Sequence, residues 1–141
     1  MNALHSVSVA KVAELLDLKN ITKDMDLKSR MIECSDVNRP ALQLSGYFEH
    51  FEQSRVQLIG NVEYTYIEKM SDDEKMERYS RFMEFDIPCI IFCRDLQPDE
   101  IFLKEAHEHN IPILSTGRST SGFMAELIYC LGEQLAPCIT V

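Results

Sequence analysis

Two short segments in the second half of the chain, 87–92 and 111–114, are almost wholly apolar, and they constrain the fold more than any other feature. A strand without polar alternation is typical of a parallel sheet that is covered on both faces. Between the two segments, Pro98 and the acids after it predict the first turn of a helix that runs to about His109. Strand, helix and strand at this separation predict a βαβ unit with parallel strands and a right-handed crossover.

Helix signals flank this unit on both sides. Ser8 is expected to cap a first helix, and a capping box that begins at Ser71 is expected to open another. A last helix is predicted from near Thr120. In the second and third of these helices, apolar side chains recur at helical spacing and are expected to face a core: Met76, Tyr79, Phe82, Met83, Met124, Leu127, Ile128 and Leu131.

Two further strands are predicted in the first half of the chain. Residues 31–34 form one, which leads into a polar turn at 36–39, and residues 56–59 form another, which ends at Gly60. Asn61 is the expected cap of the helix that follows. The whole pattern predicts an α/β fold, a parallel or mixed sheet with helices on its faces. At 141 residues the chain is expected to form a single domain.

Charge and hydropathy exclude several function classes. The chain carries 14 Lys and Arg against 23 Asp and Glu, a net charge of −9, which disfavours binding to nucleic acid. The acidic segment 68–77 is expected to be a solvated helix face. We find no apolar run near the length of a membrane span and no signal peptide, so we expect a cytoplasmic protein without membrane contact.

The cysteines and histidines offer weak candidates for metal or redox chemistry. The five cysteines lack the paired spacing of a secreted scaffold, which favours reduced thiols. Cys89 and Cys93 fall on the same strand face as Ile91, where a free thiol behaves as a small hydrophobic group. His107 and His109 are two residues apart on a predicted helix, so they point to different faces and make a poor metal pair.

The turn after the last predicted strand is the first candidate functional site. Gly117 and Gly122 have the spacing of a phosphate loop, but Phe123 stands where the lysine belongs and Met124 where the metal-binding hydroxyl belongs. A kinase phosphate loop is therefore excluded. The turn can still bind a small anion through helix N–H groups, hydroxyls and a guanidinium, or its hydroxyls can simply cap the helix. Its residues are Thr116, Arg118, Ser119, Thr120, Ser121 and Gly122.

The polar turn after the first predicted strand is the second candidate. Asp36, Asn38 and Arg39 either contact a ligand or tie the loop to the domain through hydrogen bonds, as an Arg fork beside an acid commonly does. Pro40 is expected to open a short helix behind this turn. The apolar side chains of that helix are Leu42 and Leu44.

Several segments together resemble one known family. The run from Ser35 to Tyr47 resembles the N-terminal domain of the bacterial bifunctional HPr serine kinase/phosphorylases. Four other stretches agree with that domain in the same order, so the resemblance covers essentially the whole chain: 56–60, 88–94, 111–116 and 135–141. The resemblance implies a fold similar to the N-terminal domains of Mur ligases, with no catalytic residue or cofactor of its own.

The resemblance also implies what the whole enzyme would do. It would phosphorylate a serine of the phosphocarrier HPr with ATP or pyrophosphate and Mg²⁺, reverse that step by phosphorolysis, and act as a homo-oligomer in carbon catabolite control. This chain would be a regulatory or assembly domain whose partner is its own C-terminal catalytic domain. The apolar run 138–141 is accordingly expected to lie at a domain boundary. The alternative is an independent sensor of a small molecule or anion at the turn 116–122, and only the first reading requires a true phosphate loop downstream.

Overall fold

Four parallel strands and one antiparallel edge strand form the main sheet of the protein, which a computed structural model describes over residues 6–136. In chain order the elements are β1 (Val7–Ser8), α1 (Val9–Leu15), β2 (Lys19–Asn20), β3 (Met31–Ile32), β4 (Val37–Asn38), α2 (Ala41–Leu44), β5 (Val56–Ile59), α3 (Asn61–Glu68), α4 (Asp72–Met83), β6 (Ile90–Phe92), α5 (Glu100–His109), β7 (Ile113–Ser115) and α6 (Thr120–Leu135).

The strand order in the main sheet is β2-β7-β6-β5-β4. Strands β4 to β7 are parallel to one another, and β2 pairs antiparallel with β7. Strands β1 and β3 form a separate two-stranded antiparallel ribbon. The predicted α/β class and the predicted βαβ unit are therefore confirmed. Because β4 to β7 are parallel, their C-terminal ends meet at one side of the sheet, which we name the carboxyl edge.

Alternation along β6 divides the core into two layers. Ile91 packs with Cys89 and Cys93 beneath α1 and α6, whereas Ile90 and Phe92 pack on the opposite face against α3, α4 and α5. All five side chains are at most 1% exposed. The prediction that the two cysteines share a face with Ile91 is confirmed, and burial raises the pKa of the Cys89 thiol to about 12.

Helix caps follow the sequence signals closely at three of the helices. Ser8 accepts from the Lys11 N–H at 3.0 Å, and Ser71 exchanges bonds with Glu74 in the predicted capping box. Asp99 caps α5 by accepting from the Phe102 N–H at 2.8 Å. The helix begins at Glu100, so Pro98 precedes the cap and does not lie in the first turn as predicted. The acidic residues of α4 are exposed, as expected for a solvated face.

Other expectations about caps and short strands are wrong. Gly60, not Asn61, is the N-cap of α3. The strand predicted at 31–34 covers only Met31–Ile32 and pairs with β1, while a separate strand, Val37–Asn38, enters the main sheet beside β5. The polar edge strand β2 was missed because two residues at a sheet edge carry no apolar pattern.

Some side chains predicted to face the core are exposed. Leu42 is 60% exposed, Met76 48% and Ile128 43%. In α6 the buried face consists of Thr120, Phe123, Leu127 and Leu131. The observed buried face of α6 is rotated by about one residue from the predicted one, so Phe123 occupies the core position that was predicted for Met124. No helix within residues 6–136 is long and apolar enough to cross a bilayer.

Candidate functional site

The carboxyl edge gathers loops from four successive strands and is the candidate site. Arg39 follows β4, Gly60 follows β5, Cys93 to Asp95 follow β6, and the segment 116–119 follows β7. Open α/β sheets bind ligands at this end of their strands, where consecutive helices leave on different faces. Here α3 lies on one face and α6 on the other, so their N-termini approach each other above the sheet.

The polar turn at 36–39 is held by contacts within the domain. The Asn38 side chain donates from Nδ2 to Oε1 of Gln57 at 2.6 Å and to Oε1 of Gln43 at 3.1 Å. Both acceptors are buried. Asp36 is exposed, and its carboxylate lies 3.7 Å from the Arg55 guanidinium. Asn38 therefore links β4 to β5 and α2, which is the structural role weighed against ligand contact in the sequence.

Arg39 forms the strongest polar contact at the edge. Its guanidinium donates from Nη2 to Glu63 Oε1 at 2.7 Å and from Nε to both oxygens at 3.1 and 3.2 Å. The Glu63 side chain is 2% exposed and also accepts from the Gly60 N–H at 2.8 Å. Glu63 thus caps the first turn of α3 while it neutralises Arg39. Nη1 of Arg39 takes no part in this pairing.

Thr120 closes the edge from the α6 side. It is 6% exposed, and its Oγ1 makes no hydrogen bond to an oxygen or nitrogen atom of the described residues. A Cβ on Gly60 would lie 2.5 Å from this Oγ1 and 2.8 Å from Arg39 Nη2, so only glycine fits. The Cys93 thiol lies next to Thr120. Burial raises the pKa of this thiol to about 11, and a hydrogen bond with the Thr120 hydroxyl partly offsets that rise.

The loop after β6 has an unusual backbone. Arg94 and Asp95 have φ values of 60° and 56°, a left-handed conformation that is rare for side-chain-bearing residues. Their N–H groups donate to the carbonyls of Arg118 and Thr116, each at 3.0 Å, so the loop is fixed to the turn after β7. The Asp95 carboxylate lies against Gly117, where a Cβ would come within 2.9 Å of it.

The turn 116–122 contains a helix cap and an arginine that other residues hold. Ser119 caps α6 by accepting from the Gly122 N–H at 3.3 Å, and buried Thr116 accepts from the Arg118 N–H at 3.3 Å. Ser121 and Gly122 are exposed. The Arg118 guanidinium is turned to the α1 side, where Nη1 contacts the Leu16 carbonyl at 3.0 Å and Glu126 Oε1 at 3.1 Å. The helix-cap role is therefore present, and Arg118 is engaged by other partners.

The residues that depart from a phosphate loop are part of the hydrophobic packing. Phe123 is fully buried in the layer beneath α6, and Met124 packs against the same layer. Neither side chain can donate a hydrogen bond to a phosphate or supply the oxygen ligand that Mg²⁺ takes in a phosphate loop. The turn therefore lacks the lysine and the hydroxyl with which a phosphate loop holds its nucleotide and metal ion.

Other polar clusters lie away from this edge. His107 contacts Asp24 at 3.1 Å and His109 contacts Glu105 at 3.5 Å, so the two imidazoles do not converge. Within residues 6–136 no group of three or more His, Cys, Asp or Glu is arranged to hold a metal ion. A cavity of about 280 Å³ near Arg30 and a groove of about 320 Å³ between α1 and α6 also lie outside the carboxyl edge.

Sequence reasoning found half of this site. It identified Arg39, Thr120 and the turn after β7, but it missed Glu63 and Gly60. The available signal was the glycine that follows β5 with a glutamate three residues later, the spacing at which a helix N-terminus is capped by a carboxylate.

A family model matches most of the chain. The model described as "HPr Serine kinase N terminus" matches residues 7–131. Among curated relatives, the HPr kinase/phosphorylase of Lachnoclostridium phytofermentans is 44% identical over 138 residues, which cover 98% of this chain and 45% of that protein. The HPr kinase/phosphorylase of Thermoanaerobacter sp. is 41% identical over 134 residues, which cover 89% of this chain and 44% of that protein. The chain thus spans slightly less than half the length of these relatives.

Among the solved structures that match, one illustrates the shared fold. It comprises the CBS and DRTGG domains of the regulatory region of Clostridium perfringens pyrophosphatase, in complex with the activator diadenosine tetraphosphate. The TM-score is 0.60 with 13% sequence identity, and the match covers 95% of this chain and 52% of that one. At this identity the likeness concerns the fold alone.

Proposed function

Because the chain belongs to the family of HPr serine kinase N-terminal domains, we propose that it is the accessory, non-catalytic domain of an HPr kinase/phosphorylase. The observation that supports this is the uneven coverage: the match takes in 98% of this chain but only 45% of the Lachnoclostridium relative. A buried Phe123 stands at the position of the phosphate-loop lysine, which agrees with phosphoryl transfer in another domain of the parent enzyme.

The parent enzyme proposed on this basis has a defined activity. It transfers a phosphoryl group from ATP or pyrophosphate, with Mg²⁺, to a serine of HPr, and it reverses that transfer by phosphorolysis. It works in the cytoplasm as a homo-oligomer in carbon catabolite control. Within it, this domain regulates activity or supports assembly, and its direct partner is the C-terminal catalytic domain.

A groove between α1 and α6 is the proposed contact for the remainder of the parent enzyme. It is lined by residues from the end of α1 and the last turns of α6, and Leu15 and Tyr129 in its wall are 46% and 70% exposed. The relatives are more than twice as long as their match to this chain, and the family model describes an N-terminal segment. We therefore propose that the rest of the parent enzyme follows α6. An exposed apolar surface next to that continuation favours contact with it.

The test compares the 141-residue chain with the full-length protein. We expect labelled phosphate to pass from ATP to HPr with the full-length protein and not with the chain alone, because the chain lacks a phosphate loop. Phosphate transfer by the pure chain, at a rate that follows its concentration, would contradict the proposal. A reading frame that does not continue into a G-x-x-x-x-G-K-[ST] loop would favour the independent sensor instead.

The groove is tested separately in the full-length protein. Tyr129→Glu should weaken contact between this domain and the rest, seen as faster proteolysis between the two parts or as loss of the assembled state. Val62→Glu is the matched control, since Val62 is 66% exposed on α3, away from the groove. Equal behaviour of the two variants would show that the groove is not the contact.

A further inference from the structure

The groove between α1 and α6 is lined by one continuous stripe of α6. The side chains of this stripe recur at helical spacing, and the stripe is separate from the face of α6 that packs on the sheet. They are Glu126, Tyr129, Cys130 and Glu133. Leu15 and Leu16 at the end of α1 form the opposite wall. The stripe extends over about two helical turns, roughly 10 Å, which is close to the diameter of one α-helix with its side chains.

The end of this groove is negatively charged. Glu126 is paired with Arg118 at 3.1 Å, whereas Glu133 is exposed. Both helices end beside the groove, and neither has a basic residue in its last turn, where Lys, Arg or His commonly offsets the partial negative charge of a helix C-terminus. No Lys, Arg or His follows Arg118 in the sequence. The groove therefore combines apolar walls with a negative charge that the last turns of the two helices do not offset.

We propose that the groove binds an amphipathic α-helix whose apolar face covers Leu15 and Tyr129 and whose rim places a lysine or arginine opposite Glu133. A helix that packs against a groove uses side chains at positions i, i+3, i+4 and i+7, which is also the spacing of the stripe on α6. A cation at this rim complements both the Glu133 carboxylate and the C-terminal end of α6.

The source of this helix is the part of the parent enzyme outside this chain, and in this respect the inference rests on the proposed function. More than half of the Lachnoclostridium relative lies outside its match to this chain, so the parent has the length to supply a helix. A second copy of this chain fits poorly. Two copies that meet at their grooves bring two Glu133 carboxylates to one interface, and each copy carries a net charge of −9, so they repel each other.

The half-buried Cys130 lines the groove and reports whether it is covered. The experiment measures alkylation of Cys130 by iodoacetamide, located by mass spectrometry, in the 141-residue chain and in the full-length protein. Cys34, which is also half-buried but does not line the groove, is the internal reference. We expect alkylation of Cys130 to be about tenfold slower in the full-length protein, with an unchanged rate at Cys34.

Two results of this comparison would overturn the proposal. Equal rates at Cys130 in the two proteins would show that the groove is not covered. A rate in the 141-residue chain that increases on dilution, or on removal of residues 1–5, would show that a second copy or the N-terminus of the chain covers it instead.

Charge variants test whether the bound helix is basic. Each full-length rate is divided by the rate of the same variant in the 141-residue chain, because the Glu133 carboxylate also acts on the Cys130 thiol. Glu133→Lys should remove most of the tenfold protection, and Glu133→Gln should remove less of it. Glu108→Lys, at an exposed position of α5, is the matched control and should keep the protection.

Protection that survives Glu133→Lys, or an equal loss in Glu108→Lys, would overturn the basic helix. Such a failure leaves the proposed function standing, because phosphate transfer to HPr by the full-length protein is measured separately.

Discussion

Arg39 and Glu63 are joined by three hydrogen bonds between 2.7 and 3.2 Å, and they connect the end of β4 to the first turn of α3. The glutamate is almost completely buried, while its partner is partly exposed. The same carboxylate accepts from the Gly60 N–H, so one side chain satisfies a charge and a helix N-terminus together. This pair fixes the geometry of the carboxyl edge.

Removal of the arginine should destabilise the domain strongly. Arg39→Ala leaves the Glu63 carboxylate buried without its cation, and we expect a loss of about 3 kcal/mol in the free energy of unfolding. The value lies at the lower end of the range for buried pairs because water can reach a third of the arginine side chain. Urea denaturation measures the change. Lys11→Ala is the control, since Lys11 pairs with Glu14 at an exposed site and should matter little.

Two glycines should respond oppositely to the same substitution. Gly60→Ala places a methyl group within 2.8 Å of Arg39 and Thr120, neither of which can move freely, and overpacking of this kind costs roughly 1–3 kcal/mol. Gly132→Ala in α6 meets nothing within 4 Å and should stabilise by about 0.5–1 kcal/mol through helix propensity. Thermal melts of both variants test the pair. A neutral Gly60→Ala would mean that the edge is looser than the structure has it.

The sequence was sufficient for the fold class because the evidence for it is local. The apolar segments around Ile91 and Leu114 require burial on both faces, and the helix between them makes the strands parallel. In α6, the predicted and observed buried faces share Leu127 and Leu131, so periodicity alone could not decide between them.

The candidate site was harder to predict because its key contacts join distant residues. Arg39 and Glu63 are 24 positions apart. The spacing from Gly60 marks Glu63 as a helix cap, but nothing in the sequence selects it among the 23 acids as the partner of Arg39. The short polar strand β2 likewise depends on its neighbour β7 and not on its own residues. Local patterns therefore indicated which loops form the carboxyl edge. Which side chains pair with one another at that edge could be seen only in the structure.

The two faces of β6 should contribute comparably to stability. Ile91 is fully buried beneath α1 and α6, and Phe92 packs edge-on against Phe102 and Tyr64 on the other face. Truncation of either to alanine should cost roughly 2–5 kcal/mol, because each leaves a cavity in a closed layer. Equilibrium denaturation decides. A loss below about 1 kcal/mol at both positions would mean that β6 is not the covered central strand.

The contact between His107 and Asp24 should make part of the stability depend on pH. The ring Nδ1 lies 2.9 Å from the Leu103 carbonyl and Nε2 lies 3.1 Å from Asp24 Oδ1, so only the protonated imidazole donates to both. The Leu103 carbonyl and then the Asp24 carboxylate raise the pKa of His107 above its ordinary 6.5. The hydrogen bond to His107 lowers the pKa of Asp24 below 3.8.

The signs of these shifts define the pH window. A raised histidine pKa contributes stability that is complete below 6.5 and disappears as pH rises through the higher folded value. A lowered aspartate pKa contributes above 3.8 and is lost as pH falls through its folded value. The contact should therefore stabilise the fold most between about pH 4 and 6.5, and only slightly, because both side chains are largely exposed.

Urea midpoints of His107→Gln should approach those of the parent at pH 8.5 and fall below them at pH 5.5. His50→Gln, at an 85% exposed imidazole, is the control, and an equal gap at both pH values for His107→Gln would rule out the contact as the pH-dependent element.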